Sequence, residues 1–397
     1  MDQAAQFRRV AEVLRTAQRM AIEVENAPDK RKRLRSFSIQ EVAAMLGVPL
    51  RQLRQAAGLK PAGKGIAPRM RMEFQEIMAA RASLRRQTGQ ISFLPRRDGA
   101  QGERLASIAF TNFKGGSAKT TSSVHFAQYL ALAGYRVLLV DLDSQGSTTA
   151  QFGIDPAEEV GHGNSFAGWV ARSGATLDAR ALCQATYWPN IHLVPAGAAL
   201  AEAEEALSRR AASGEVEEVL YFEELVAFLA AVADDYDVAV IDTRPDVNML
   251  MTTALHAASG IVVPSRATMT DLASTGEFFA HLAGYTTAFQ EAFGHGLDLG
   301  FSRILVTAYD PTDRSQEALL SLLRERFGEM VLPDPFLHSR IMGTAGFGKE
   351  TLYEYEPSTD RAAYNRVLAS ANAVSRAIER EIWRFWGRGL PAKETTP

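Results

Sequence analysis

From residue 105 onward, short apolar runs alternate with longer amphipathic ones. The runs 105–112, 135–141, 191–195, 236–242, 260–264 and Phe301–Thr307 read as strands, and the segments between them as helices. Alternation of this kind predicts a parallel sheet wrapped by helices on both faces. Before residue 105 the pattern is helical. Phe7, Val10, Val13 and Leu14, continued by Ala17, Met20 and Ala21, repeat at helical spacing and predict an amphipathic helix over 3–25. Pro28 and the run Lys30-Arg31-Lys32-Arg33 then read as a linker, suited to phosphate contact or to plain solvation. A compact helical module is expected over 36–90, and Pro95 to Gly102 reads as a second linker. These breaks divide the chain into an N-terminal dimerisation helix (1–30), a helical module (31–95) and an α/β domain (96–397). No internal repeat is visible, and 198–212 is the one Ala/Glu-rich stretch.

Composition changes this picture in one respect. The chain has 397 residues, 46% hydrophobic and 22% charged, with a net charge of −3; this is a globular profile. Residues 1–100 hold 20 Lys and Arg against 9 Asp and Glu, whereas the remainder holds 23 against 37. A basic module joined to an acidic one suggests nucleic acid on the basic side. The single cysteine, Cys183, excludes an internal disulfide framework and an intrachain cysteine-cluster metal site, and reads as an inert packed thiol. Arg8, Arg9, Arg15 and Arg19 interrupt the first twenty residues, and no run approaches the roughly 18 apolar residues of a membrane span. Secretion is therefore not expected, and a cytoplasmic location is.

The strongest chemical signal is Phe113-Lys114-Gly115-Gly116-Ser117-Ala118-Lys119-Thr120-Thr121, set between a strand and a helix. That context is the one a phosphate-binding loop requires. Gly115 and Gly116 let backbone N–H groups curl around phosphate oxygens, and the N-terminus of the following helix faces the same anion. Lys119 would supply charge to the β- and γ-phosphates of ATP, and the Thr120 hydroxyl would face Mg2+. The loop departs from G-x-x-x-x-G-K-[ST]: Phe113 and Ala118 stand where that pattern has glycine, and Lys114 is an extra lysine. Two strands end in carboxylates. Val137 to Asp141 continues into Leu142-Asp143-Ser144-Gln145-Gly146, and Asp237 to Asp242 resembles a Walker B strand, so that Asp242 would hold Mg2+ through water.

Residues 39–56 read as helix-turn-helix. Ser38 is the expected N-cap, Val42, Leu46, Val48 and Leu53 the inward face, and Gly47 the turn. The second helix would present Arg51, Gln52, Arg54 and Gln55, side-chain types that read base edges in a major groove. Lys60, Lys64, Arg69 and Arg71 would form a wing on DNA phosphates.

The Lys-Gly-Gly-x-x-Lys-Thr loop, the Asp-x-Asp-x-Gln-Gly strand end and the Walker B-like strand resemble the ParA/MinD group of deviant Walker A ATPases. Together with the helix-turn-helix they resemble the ParA-type (RepA) proteins of repABC plasmids. So do Ala127 to Ala131, Leu305 to Asp313 and Lys349 to Glu354. The likeness spans about 30–385. It implies a cytoplasmic, nucleoid-associated ATPase acting as an ATP-dependent sandwich homodimer on nonspecific DNA. It also implies a ParB-type (RepB) centromere-binding partner that stimulates hydrolysis, and repression of the protein's own operon. By the same resemblance Lys114 reaches the partner subunit's nucleotide, Asp143 serves hydrolysis, and Asp141 lies near the Mg2+ shell. Arg303, Arg340 and Lys349 become candidates for nonspecific DNA contact. Ser144 replaces a family proline, and Thr243-Arg244-Pro245 retains one of two. A membrane-cycling MinD-like protein would instead use Ile382 to Trp386 at a lipid interface; packing of these residues on the sheet is the expectation here. A nucleotide-sensing transcriptional repressor with a nonhydrolysing nucleotide domain is the other alternative, against which the intact Lys119, Thr120 and Asp143 argue.

Overall fold

The computed structural model describes residues 32–59, 71–172, 177–213, 219–347, 350–357 and 359–389, with isolated positions among the first sixteen; side chains of 344–347 are not described. Most of the helix expected at 3–25, together with Lys60, Lys64, Arg69 and Lys349, lies outside the described residues. Met1–Leu34 forms one unit, and Arg35–Pro397 another that contains both the helical module and the α/β domain.

The central sheet has seven strands in the order β5-β6-β4-β7-β3-β8-β9. These are β3 (Ala106–Phe110), β4 (Val137–Leu142), β5 (Gln184–Ala185), β6 (Ile191–Val194), β7 (Val238–Thr243), β8 (Gly260–Arg266) and β9 (Phe301–Thr307). All pairings are parallel except β5 with β6. Every residue of β3, β4 and β7 is buried. This is why they appear in the sequence as unbroken apolar runs: both sheet faces are covered. The expected strands are all present within one to two residues at either end. The two-residue β5 was not expected, being too short to carry a periodicity. The strand order changes direction at β3, so the ends of β3, β4 and β7 form the crevice where such sheets bind ligands.

Three helices precede the sheet: α1 (Ile39–Leu46), α2 (Leu50–Ala56) and α3 (Phe74–Thr88). Ser38 caps α1 in a capping box with Glu41, and Gly47 takes the left-handed conformation (φ 63°) that the sharp turn into α2 needs. Val42, Leu46 and Leu53 are buried as expected, and Val48 is half-buried. Two short antiparallel strands, β1 (Phe37–Ser38) and β2 (Arg71–Met72), close the module. Arg71 therefore sits in a strand rather than on a wing. Its guanidinium forms an ion pair with Glu356 (2.8 Å) and donates to Ser36. This corrects the expectation that it is available to DNA phosphates.

Helix α4 (Lys119–Ala133) runs from the phosphate loop through the protein and is buried on nearly all sides. One cover is α13 (Arg361–Phe385), whose Val367, Ala371, Val374, Ile378 and Ile382 face inward. Trp383 and Trp386 are buried, their indole N–H groups donating to Tyr135 Oη and the Arg104 carbonyl (2.8 Å each). The apolar face of this helix is thus consumed inside the protein and not left for lipid. Truncating the fully buried Ile378 to Ala should cost about 2–5 kcal/mol. Among the described residues no helix is long and apolar enough to cross a membrane. Cys183 is half-buried, and burial pushes its thiol up to about 11, which keeps it protonated and unreactive.

Candidate nucleotide site

The loop after β3 is anchored at its start. Asn112 is buried and donates through Nδ2 to the Pro264 carbonyl (2.8 Å). Phe113 packs edge-on against Phe278 (5.1 Å between ring centroids) and beside His281. The departure from glycine at 113 is therefore a packing anchor. Gly115 and Gly116 are exposed, and Gly116 has φ 72°. Ala118 also adopts a left-handed conformation (φ 69°, ψ 33°), at the position where the general pattern has glycine. Ser117 is buried; its carbonyl accepts from Thr307 Oγ1 (2.9 Å), whereas its own hydroxyl has no partner among the described residues.

Lys119 opens α4 and folds back over the loop, its ammonium donating to the Lys114 carbonyl (3.0 Å). Burial pulls its pKa down to about 8, against the pull of Asp242 and Asp143. Lys114 is half-buried, and its ammonium has no hydrogen bond or ion pair among the described residues. Thr121, two positions after Lys119, is half-buried, its carbonyl accepting from His125 Nδ1 (2.7 Å).

Asp141 and Asp242 are register partners on the adjacent strands β4 and β7, and both are fully buried. Their surroundings differ. Asp141 Oδ1 accepts from the Asp143 amide (3.0 Å), and Oδ2 from both the amide and the hydroxyl of Thr149 (3.0 and 2.7 Å). Asp242 Oδ2 accepts from Thr120 Oγ1 (2.7 Å) and Thr148 Oγ1 (2.8 Å), while Oδ1 has no partner among the described residues. Burial first, and the neighbouring carboxylate second, push Asp141 well above the ordinary carboxylate range. Burial raises Asp242 as well, opposed by its two threonines and Lys119. Asp143 is half-buried at the strand end. Its carbonyl accepts from the Gly146 amide (2.8 Å), so the turn forms with Ser144 in place of the family proline. Arg244 pairs loosely with Asp246 (3.6 Å) on the exposed loop after β7.

One residue of the site was not anticipated. Arg266 ends β8, is exposed, and holds its guanidinium 3.6 Å from where a Cβ on Gly116 would lie. Nothing in the local sequence signals this, because strand order brings β8 beside the loop.

Comparison with known proteins now adds to the geometry. A family model described as an AAA domain matches residues 105–292. A Rhizobium rhizogenes protein named "Putative replication protein A" is 35% identical over 366 residues, 91% of this chain and 90% of that protein. The chromosome-partitioning ATPase Soj of Thermus thermophilus is 33% identical, over 68% of this chain and 96% of its own. The chain belongs to the ParA/MinD family of P-loop ATPases. It is an ATPase of the plasmid and chromosome partition type. A solved structure titled a partition protein shares the fold, with a TM-score of 0.64 at 18% identity, over 94% of this chain and 99% of that one.

In this ParA-family ATPase the residues expected to read DNA stand on α2. Arg51 and Gln55 are exposed, Gln52 and Arg54 half-buried; Arg69 lies outside the described residues. Arg303, expected as a nonspecific DNA contact, is instead held by Glu381 (2.9 Å) with little of its side chain exposed. Arg340 is exposed at the start of α12 (Arg340–Phe347) and engages a further interaction of its own.

Proposed function

We propose that this chain partitions plasmid DNA as an ATP-dependent sandwich dimer in the cytoplasm, associated with the nucleoid. The observation that carries this reading is a clustering of unsatisfied oxygens. Of the five buried side-chain oxygens without a partner among the described residues, Thr111 Oγ1, Ser117 Oγ, Ser122 Oγ and Asp242 Oδ1 lie in or beside the phosphate loop. Buried polar atoms are rarely left unpaired, so such a group marks a place that a ligand completes.

ATP and Mg2+ fit that chemistry. Residues 115–121 would cradle the phosphates by their amides and by Lys119, and Thr120 with Asp242 would hold the metal through oxygen donors, as Mg2+ demands. When bound, they supply a phosphoanhydride whose charge is neutralised for attack by water. Asp143 would orient that water and accept its proton. Asp141, both oxygens taken, positions the Asp143 turn from beneath rather than meeting the metal directly. Lys114 would extend its free charge to the partner subunit's nucleotide.

Two DNA activities follow in this reading. Arg51, Gln52, Arg54 and Gln55, with Arg69 on a wing, would read the operator of the chain's own operon. Nonspecific binding needs a local positive surface on an otherwise acidic domain, and α13 would supply it. Its exposed positions are only Arg, Ala and Asn; the spacing of Arg366, Arg376 and Arg380 places them on one side of the helix. These arginines would follow DNA phosphates, and a ParB-type (RepB) partner would stimulate hydrolysis and release. The test is light scattering and ATP turnover with random-sequence DNA. ATP should double the scattering mass of the wild type, and Lys114→Ala should bind ATP yet remain monomeric. A Lys114→Ala protein that dimerises like the wild type would sink the trans contact.

A further inference from the structure

The strap 350–356 is irregular, yet it is anchored on two sides. On one side it is fastened to α4. The Leu352 amide donates to His125 Nε2 (3.2 Å), Thr351 Oγ1 donates to Gln128, and Gln128 Nε2 donates to Glu354 Oε1 (3.0 Å). His125 in turn holds the Thr121 carbonyl, at the end of the phosphate loop. On the other side the strap is fastened to the helix-turn-helix module. Arg35 Nε donates to the Tyr353 carbonyl (2.9 Å) while its guanidinium pairs with Glu41 in the first turn of α1 (3.0 Å). Arg71 of β2 grips Glu356 with both terminal nitrogens (2.8 and 3.0 Å).

Between these two sets lies Glu354, buried and fully occupied. Its Oε1 also accepts from Trp188 Nε1 (2.9 Å) and from the Tyr187 hydroxyl, and its Oε2 from the Thr351 amide (2.9 Å). Trp188 itself packs edge-on against Phe74, the first residue of α3 (6.1 Å). Buried hydrogen-bonded networks of this kind resist piecemeal deformation, because each broken bond strands a polar group. A shift of the first turn of α4 therefore moves the strap as a unit, and with it Arg35 and Arg71.

We propose that the strap 350–356 couples occupancy of the phosphate loop to the helix-turn-helix module, with Glu354 as the positioning residue and the Arg71–Glu356 pair as the outer latch. The proposal rests on the nucleotide reading above and is independent of what the module binds. The latch is the place to break it. Arg71 and Glu356 are partly exposed, and such pairs contribute little to stability, so Glu356→Gln keeps the fold.

The experiment is amide hydrogen exchange of the full chain, with and without a nonhydrolysable ATP analogue plus Mg2+. In the wild type, nucleotide should change exchange of the Ile39–Ala56 amides by about fivefold, the lower end of ordinary site-to-site coupling. Glu356→Gln should lose most of that change while analogue affinity stays within about twofold. The swap Arg71→Glu with Glu356→Arg should restore it. An unaltered response in Glu356→Gln, or no nucleotide response of these amides in the wild type, overturns the proposal. Operator footprinting is scored separately: a wild type that couples but does not footprint overturns the DNA reading and leaves the strap standing.

Discussion

Two buried carboxylates lean on helix α4, and their surroundings treat them differently. Glu354 meets the helix at Gln128 and has both oxygens occupied by donors from three parts of the chain. Asp242 meets it at Thr120 and uses one oxygen, leaving the other without a partner among the described residues. Burial is equal in kind; satisfaction is not. A carboxylate fully paired inside a protein holds elements together, whereas one left half-paired carries a cost of about 1–3 kcal/mol that a ligand can relieve. The same contrast separates the two aspartates of the site. Asp141 has both oxygens taken and supports a turn, whereas Asp242 keeps one oxygen without a partner among the described residues.

The largest expected effect breaks the open side at its chemistry. Asp143→Ala should slow ATP hydrolysis by roughly 10²–10⁴-fold, the usual worth of general acid–base help, while ATP still binds. Its product should be a long-lived ATP dimer on random DNA. Wild-type turnover in that variant would remove Asp143 from the chemistry.

Next in size is the clamp. Lys119→Ala should weaken ATP binding on the order of 100-fold, the loss of a strong charged hydrogen bond of about 2–3 kcal/mol. The wild-type residue also predicts a pH dependence with a definite sign. Burial pulls Lys119 down to about 8 in the nucleotide-free protein. Below pH 8 it is already charged, so ATP affinity should be flat there. Above pH 8 the anion must recruit a proton, and affinity should fall by up to about tenfold per pH unit. Calorimetry in buffers of different ionisation enthalpy would register that proton uptake. Proton-free binding at pH 9 would show that Lys119 is already charged before ATP arrives.

A paired substitution sharpens the comparison itself. Asp242→Asn removes a poorly satisfied buried charge and should leave unfolding stability equal or higher, while Mg2+-dependent ATP affinity falls. Glu354→Ala strands four donors and should cost about 3–5 kcal/mol of stability. Denaturant titration alongside nucleotide binding would separate the two, and identical behaviour of both variants would dissolve the distinction.

The helix-turn-helix face gives a smaller effect. Arg51→Ala should cost about 1–3 kcal/mol of operator discrimination and leave ATP-dependent binding to random DNA unchanged. Footprinting on the chain's own promoter decides it. Loss of random-DNA binding with the operator footprint intact would make this module the nonspecific tether.

How far these features were legible in sequence depends on whether neighbours in space were neighbours in the chain. The phosphate loop, the capping box at Ser38 and the turn at Gly47 are local, and local pattern was enough. Both carboxylate-ended strands were visible for the same reason, but which carboxylate was open was not: that depends on Thr148 and Thr149, supplied by the next helix. Arg266 reaches the loop only through strand order. Arg71 and Arg303 looked like free cations because Glu356 and Glu381, which hold them, lie hundreds or tens of residues away. The two-residue strands β1, β2 and β5 are too short to announce themselves by period.

The smallest expected effect tests how the open side is held open. Ala118 is a non-glycine residue in the left-handed region, immediately before α4. Its Cβ crowds the backbone there, a strain of about 1–2 kcal/mol. Glycine removes that strain but loses more chain entropy on folding, about 0.5–1 kcal/mol. The balance favours glycine, so Ala118→Gly should stabilise the nucleotide-free protein by roughly 0.5–1 kcal/mol, read as a higher urea midpoint at unchanged slope. If Ala118→Gly instead lowers the midpoint, the left-handed alanine is not strained. If it stabilises the fold but weakens ATP binding, the methyl group is serving to keep the loop in its anion-ready shape, and the strain at 118 is functional in the sense that Asp242's unpaired oxygen is.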